Sequence, residues 1–133
     1  MIDEAPTRSS ATTAMPGAAL LDPAALARLS ELDPGGQGGL VMRVLQTYAD
    51  SLRQLLDELR QARAAGRTDV LGRVAHTLKS SSASIGASGF VALCARAEAS
   101  IRAADGSDLS PLLDELEDES LRVERAVRAL LPA

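Results

Sequence analysis

Residues 75–87 read AHTLKSSSASIGA and contain the only histidine of the chain, His76. When the segment around it is wound at about 100° per residue, the apolar side chains collect on one stripe of a helix. That stripe, about 100° wide, consists of Leu71, Val74, Ala75, Leu78, Ser82 and Ile85. His76 falls on nearly the opposite side, together with Asp69, Gly72, Arg73, Lys79, Ser80 and Ala83. The sequence therefore predicts a helix that buries the first set, presents His76 to solvent and stops at Gly86.

The residues next to His76 suit a histidine that another macromolecule approaches. Gly72 and Ser80 lie one turn before and after it, and both are small. Lys79, at i+3, lies on an adjacent part of the same helix face and can bring an ammonium group to an anion. An unperturbed imidazole, with a pKa of about 6.5, is mostly neutral at cell pH, so one ring nitrogen keeps a lone pair for nucleophilic attack. Two plainer interpretations stay open, namely an ordinary surface histidine and a lysine that is merely solvated.

The motif around His76 resembles that of a known family. Residues 76–82, HTLKSSS, and the Gly-Ala pair at 86–87 are similar to the signature of histidine-containing phosphotransfer (HPt) domains, His-x-Leu-Lys-Gly-Ser-Ser and then Gly-Ala after a short gap. The resemblance covers about residues 20–131 and also includes Leu21-Asp22-Pro23 with Leu26 and Leu29, the long helix from Leu40, and Leu93-Cys94 with Glu98. Ser80 departs from the pattern, because the family most often has glycine there.

This resemblance implies a function for His76. In such a domain the histidine accepts a phosphoryl group from the aspartate of one receiver domain and passes it to another, so His76 is the expected phosphoacceptor of a two-component phosphorelay. The expected partners are receiver domains of response regulators or hybrid sensor kinases, whose acidic site and Mg²⁺ supply most of the catalysis. The chain is then a phosphohistidine carrier rather than an enzyme, and we expect it to need neither a cofactor nor a metal of its own.

Other residues take supporting roles under the same resemblance. Lys79 would stabilise the phosphoryl oxygens. The family places a Glu or Gln near the histidine from the following helix, which makes Glu98 the candidate that accepts a hydrogen bond from one ring N–H and orients His76. An ordinary solvent-facing glutamate is the alternative for Glu98. The partner-docking surface is expected at Gly72, Arg73, Ser80 and Ala83.

Two rival functions remain open. The first is a helical interaction module that binds receiver or kinase domains without accepting phosphate. The second is a hydrolase with a His–Glu pair, which is disfavoured because it needs a nucleophile and a cleft. The only cysteine, Cys94, and most serines fall on apolar or terminal helix positions, so none stands out as a nucleophile. Cys94 is better interpreted as a small buried hydrophobe.

Composition limits the class of protein. The chain has 133 residues, the size of one domain, with one Phe, one Tyr and no Trp. Its Ala, Leu, Glu and Arg content predicts an all-α fold with an aliphatic core. The net charge of −4 argues against binding to nucleic acid.

The same composition bears on location. No apolar run approaches the roughly 20 residues of a membrane span. Asp3 and Glu4 stand where a signal peptide needs basic charge and then an apolar core. With a single cysteine as well, we expect a soluble, cytoplasmic protein, and Met1 with the N-terminal tail favours a free-standing one. A monomer is expected because no apolar stripe is left over.

The order of the helices predicts the architecture. Residues 1–19, without hydrophobic periodicity, are expected to form a flexible tail, and residues 20–133 the helical domain. The first predicted helix starts at Asp22-Pro23 and ends at the break Pro34-Gly35-Gly36. A long helix follows from Leu40 to about Ala65 with Gly66 as its C-terminal cap, and the His76 helix starts at Thr68 or Asp69. The next helix is expected to be capped by Ser88, and the last one to be capped by Ser107 or Asp108 and to run to about Leu131. Short links between amphipathic helices favour an antiparallel up-down-up-down four-helix bundle, here with an extra short N-terminal helix.

Overall fold

The computed structural model describes residues 20–106 and 108–132, so the predicted tail over residues 1–19 lies outside the described residues. The described part is all-helical, without any strand. Its elements are α1 (Pro23–Glu31), a 3₁₀ turn (Pro34–Gly36), α2 (Leu40–Ala65), α3 (Thr68–Ala83), α4 (Ser88–Ala103) and α5 (Ser110–Arg128).

Four long helices close into a bundle. Helix α3 packs on α4 and on α2, and α5 completes the ring by packing on α2 and α4. Helix α1 lies against α2. The links between the four helices are short, as an antiparallel arrangement requires. The predicted all-α four-helix bundle with an extra N-terminal helix is therefore confirmed.

The interior is aliphatic, as the composition predicts, with Phe90 as its largest fully buried side chain. The whole predicted stripe of α3 and the following turn, from Leu71 to Ile85, is buried. Its one polar member, Ser82, forms a 2.8 Å hydrogen bond with the hydroxyl of Tyr48 on α2, which satisfies both groups in the core. Burial raises the pKa of Tyr48 to about 12, so this phenol stays protonated.

Cys94 is fully buried in α4. Burial is the main cause that raises the pKa of its thiol to about 12, so almost no thiolate exists at neutral pH. The interpretation of Cys94 as a small core hydrophobe is confirmed.

Several predicted helix ends are confirmed. Asp22 caps α1, because its Oδ1 accepts a 3.0 Å hydrogen bond from the amide of Ala24, and Pro23 is the first helical residue. Gly66 ends α2 in the left-handed conformation, with φ of 70°. The predicted cap of α5 was wrong by one residue, because Leu109 holds the cap position, although the side chain of Asp108 accepts a 3.0 Å hydrogen bond from the amide of Ser110; Ser107 lies outside the described residues.

Two further predicted ends were wrong, by one and by about three residues. Ser88 is the first residue of α4 rather than its cap, and Ala87 takes the cap position. The cause is the preceding turn, in which the amide of Ala87 donates to the carbonyl of Ser82 at 3.1 Å. Helix α5 ends at Arg128. The amides of Leu130 and Leu131 then donate to the carbonyls of Val127 and Arg128, so the chain leaves the α-helix through a tighter, 3₁₀-type turn.

The turn after α3 ties the N-terminal helix to the helix that carries His76. Gly86 has a φ of 78°, which glycine adopts without strain. Its carbonyl accepts a 2.9 Å hydrogen bond from the amide of Asp22, the cap of α1. A Cβ at this position would lie 2.7 Å from the Cβ of Ala25. Gly86 therefore both makes the turn and lets α1 approach.

Candidate functional site

His76 lies in the middle of α3 and its side chain is 61% exposed. Its neighbours Ala75 and Leu78 are both completely buried, so the helix turns its apolar side inward and leaves the imidazole outside. The outward orientation predicted from the helical register is confirmed. An exposed ring in the middle of a rigid helix is reachable by another protein and fixed in position.

Helix α4 contributes a carboxylate directly beside the ring. Glu98 Oε2 lies 2.9 Å from His76 Nδ1, and the glutamate side chain is only 12% exposed. A carboxylate only accepts hydrogen bonds, so the proton of the neutral imidazole is assigned to Nδ1. The lone pair then resides on Nε2, the nitrogen that Glu98 does not contact.

Glu98 also receives two cations. Lys79 Nζ donates to Oε1 at 2.7 Å, and Arg102 Nη2 donates to Oε2 at 2.9 Å. The hydrogen bond from Lys79 is the largest cause that holds the pKa of Glu98 below its ordinary value; burial acts in the opposite direction, and the bond from His76 lowers the pKa further. At neutral pH Glu98 is therefore an ionised acceptor shared by three donors.

The four positions expected to form a docking surface lie around the imidazole, though not equally. Arg73, Ser80 and Ala83 are exposed, while Gly72 is half-buried. Gly72 helps to line an open cleft of about 350 Å³ between α3 and α4, which continues to Arg73, Glu98 and Arg102. A Cβ at position 72 would lie 3.5 Å from Ile101, an ordinary contact, so the packing of the two helices does not require glycine there.

Arg102 is the residue of this cluster that the sequence did not single out. It follows Glu98 by four residues on α4, a spacing that commonly forms an ion pair on a helix surface. That spacing was the available signal. That Arg102 and His76 contact the same oxygen of Glu98 could not be predicted from this spacing, because it requires the position of α3 relative to α4.

Acid is expected to weaken the Glu98 cluster in a defined pH window. Because the pKa of Glu98 is lower in the folded chain than its ordinary value of 4.5, its ionised form stabilises the fold above that pH. This contribution is lost as the pH falls through the lower folded value. The free energy of unfolding of the wild type should thus converge on that of a Glu98→Gln variant below pH 4.5.

Urea unfolding of both proteins at a series of pH values measures this difference. A Glu115→Gln variant is the control, because it removes a carboxylate of α5 whose nearest cation, Arg96, is 3.9 Å away. A difference between wild type and Glu98→Gln that stays constant down to strongly acidic pH would contradict the linkage.

The part of the chain that the structure describes contains no cluster of three or more residues able to hold a metal ion. Within the same residues, no helix combines the length and the apolarity that crossing a membrane requires.

The family model described as the Hpt domain matches residues 43–127, more than half of the chain. The chain belongs to the Hpt domain family. A similar solved structure is the crystal structure of histidine-containing phosphotransfer protein B (HptB) from Pseudomonas aeruginosa PAO1, with a TM-score of 0.73 and 25% sequence identity. That match covers 84% of this chain and 93% of the other. No curated protein matches the chain.

Family membership gives the exposed imidazole its context. Hpt domains are phosphocarriers that work with receiver domains, so the chain has a histidine phosphotransfer role in two-component signalling. The Hpt match includes α3 and α4, and therefore His76, Lys79, Glu98 and Arg102.

Proposed function

We propose that His76 is the phosphoacceptor, and that it takes a phosphoryl group from an aspartyl phosphate of one receiver domain and passes it to an aspartate of another. The observation that carries this proposal is the contact of Nδ1 with Glu98, which leaves Nε2 of an exposed ring free for attack. His76 is also the only histidine of the chain.

The transfer step balances with the groups at hand. The Nε2 lone pair of His76 attacks the phosphorus of the aspartyl phosphate, forming a P–N bond while the P–O bond to the aspartate breaks. The aspartate leaves as a carboxylate with the bonding electron pair. The ring keeps its Nδ1 proton and gains a positive charge, which the ionised Glu98 at 2.9 Å offsets. Because the ring keeps its Nδ1 proton against Glu98, the P–N bond electrons return to Nε2 and the ring leaves as neutral imidazole when the next receiver takes the phosphoryl group.

Lys79 acts on the phosphoryl oxygens. Its ammonium has three donors and one of them is used on Glu98 Oε1, so the others are available for an anion that arrives at His76. Phosphoryl transfer depends chiefly on positioning and on electrostatic stabilisation of the oxygens, and a mobile positive charge supplies the second.

The receiver docks on the surface around the ring, at Gly72, Arg73, Ser80 and Ala83. Small side chains at three of these positions allow close approach to Nε2. The Ser80 hydroxyl, which replaces the glycine of the family pattern, can donate to a phosphoryl oxygen. The receiver supplies the acidic site and Mg²⁺. Residues 20–133 form the functional domain, which works as a monomer in the cytoplasm.

The proposal is tested by incubating the chain with receiver domains that carry a ³²P-labelled aspartyl phosphate. We expect label to move to the chain within minutes, in a bond that is stable to base and labile to acid, as a P–N bond is. Mass spectrometry should place the phosphoryl group on His76. A stable complex with a receiver that never transfers its label would favour the interaction-module alternative, and label on another residue would contradict His76 as the phosphoacceptor.

A further inference from the structure

Glu98 is held by two cations that come from different helices and reach different oxygens. Lys79 extends from α3 to Oε1, at 2.7 Å, and Arg102 extends from α4 to Oε2, at 2.9 Å. His76 Nδ1 shares Oε2 with Arg102. One carboxylate that is nearly buried thus connects the histidine to two positive charges.

This arrangement creates a conflict once a phosphoryl group arrives. Under the proposed function, on which this inference rests, Lys79 turns toward the phosphoryl oxygens and gives up all or part of its contact with Glu98. Glu98 is only 12% exposed, and a carboxylate in such a place is unfavourable without a partner. At the same moment the ring becomes positively charged, so its hydrogen bond from Nδ1 to the Glu98 carboxylate becomes more important for its stability.

We propose that Arg102 is a positioning residue that holds Glu98 on His76 Nδ1 while Lys79 turns to the phosphoryl group. Arg102 and Glu98 are four residues apart on α4, so their contact does not depend on any movement of α3. The guanidinium has further donors besides the one it uses here. The ion pair within α4 therefore persists when the pair between α3 and α4 opens.

The charges of the cluster agree with this role. With a neutral ring, Lys79, Arg102 and Glu98 sum to about +1. Phosphorylation adds a group of about −2 and a ring charge of about +1, which brings the sum to about 0. Without Arg102 the phosphorylated cluster would carry about −1, next to a carboxylate that has lost its lysine.

The simpler view is that Arg102 forms an ordinary surface ion pair, since its side chain is 71% exposed. The two views differ in the effect that removal of Arg102 has before and after phosphorylation of His76. An ordinary surface ion pair contributes the same small amount to stability whether or not His76 is phosphorylated. If Arg102 is a positioning residue, its removal leaves the contact between Glu98 and His76 Nδ1 intact while Lys79 still binds Glu98. After phosphorylation, its removal breaks that contact.

The test compares Arg102→Ala, Arg102→Lys and the control Arg96→Ala, which removes another exposed arginine of α4, one that lies 3.9 Å from Glu115. Each ¹⁵N-labelled protein is phosphorylated chemically with phosphoramidate, so that no receiver is needed. The NMR signal of the hydrogen-bonded Nδ1 proton of His76 is followed before and after. Transfer from each phosphorylated protein to an unlabelled receiver is then timed.

We expect Arg102→Ala to keep the Nδ1 proton signal before phosphorylation and to lose it afterwards, with loading by phosphoramidate unchanged. Its transfer to the receiver should slow by about tenfold, the size of one charge-assisted hydrogen bond. Arg102→Lys should restore most of the signal and the rate, and Arg96→Ala should behave as the wild type.

Equal loss of the Nδ1 proton signal in both states, or no loss in either, would overturn the role of Arg102. Failure of the proposed function has a different signature, because the wild-type phosphoprotein itself would then not pass its phosphoryl group to any receiver. The NMR comparison with phosphoramidate remains decisive for Arg102 in that case.

Discussion

We expect no phosphoryl label on a His76→Gln variant under conditions in which a phosphorylated receiver labels the wild-type chain fully. Glutamine keeps a polar side chain of similar reach, and its amide N–H can still donate to Glu98. It has no basic nitrogen lone pair, so no P–N bond can form. Because the side chain of His76 is 61% exposed, the substitution leaves the core intact. Autoradiography measures the label and thermal unfolding checks the fold.

The matched control is Thr77→Ala. Thr77 is an exposed neighbour on α3 whose hydroxyl donates to the backbone carbonyl of Arg73, so we expect normal labelling. Label retained by His76→Gln would move the acceptor to another residue. A loss of labelling in the control as well would trace the defect to docking rather than to the chemistry of the ring.

His76→Gln and a charge reversal at Lys79 together separate the phosphorelay from the interaction module. If the module view is right, His76→Gln leaves signalling intact, while a charge reversal at Lys79 abolishes binding to the receiver. If His76 carries the phosphoryl group, the Gln variant still binds a receiver but signals no further. The signalling readout of His76→Gln in cells therefore gives opposite results for the two views, and calorimetry checks that the variant still binds the receiver.

The register of α3 could be predicted because its apolar residues lie on one face of the helix and its polar residues on the other. Every third or fourth residue from Leu71 to Ile85 is apolar or small, and one 3.6-residue period fits them all. The same period puts His76 outside without any information from other helices. Its partner Glu98 was different, because nothing local connects residues 22 positions apart. The resemblance to a family supplied that pairing, and the structure gives the 2.9 Å contact.

Features that depend on tertiary contacts were not predictable in this way. Asp33 accepts hydrogen bonds from the amides of Gly38 and Leu40 and thereby organises the glycine-rich loop before α2, which the sequence marked only as a break. Glu124 lies on the buried side of α5 and is stabilised by Arg53 from α2 and Arg128 from its own helix. The spacing to Arg128 is visible in the sequence, but the contact with Arg53 depends on where α2 lies.

The largest loss of stability that we expect from a single added methyl group is at Gly86. In Gly86→Ala the new Cβ would lie 2.7 Å from Ala25 Cβ and 2.9 Å from Asp22 Cβ, distances that require the backbone to shift. The left-handed φ of 78° adds about 1 kcal/mol of strain for any residue with a Cβ. Overpacking of a tight contact adds about 2 kcal/mol. We therefore expect the free energy of unfolding in urea to fall by about 3 kcal/mol.

Gly66→Ala is the control that separates the two causes. Gly66 ends α2 with nearly the same left-handed φ, 70°, but a Cβ there would meet nothing within 4 Å. It should lose only the backbone part, about 1 kcal/mol. If both variants lose the same free energy of unfolding, α1 can move away from the new methyl group at no cost, and its contact with Gly86 does not stabilise the fold. If Gly86→Ala loses more free energy of unfolding than Gly66→Ala, the contact of α1 with Gly86 holds the end of α3 in place. Phosphotransfer by the folded fraction should then stay normal, because α4 and not α1 contacts His76.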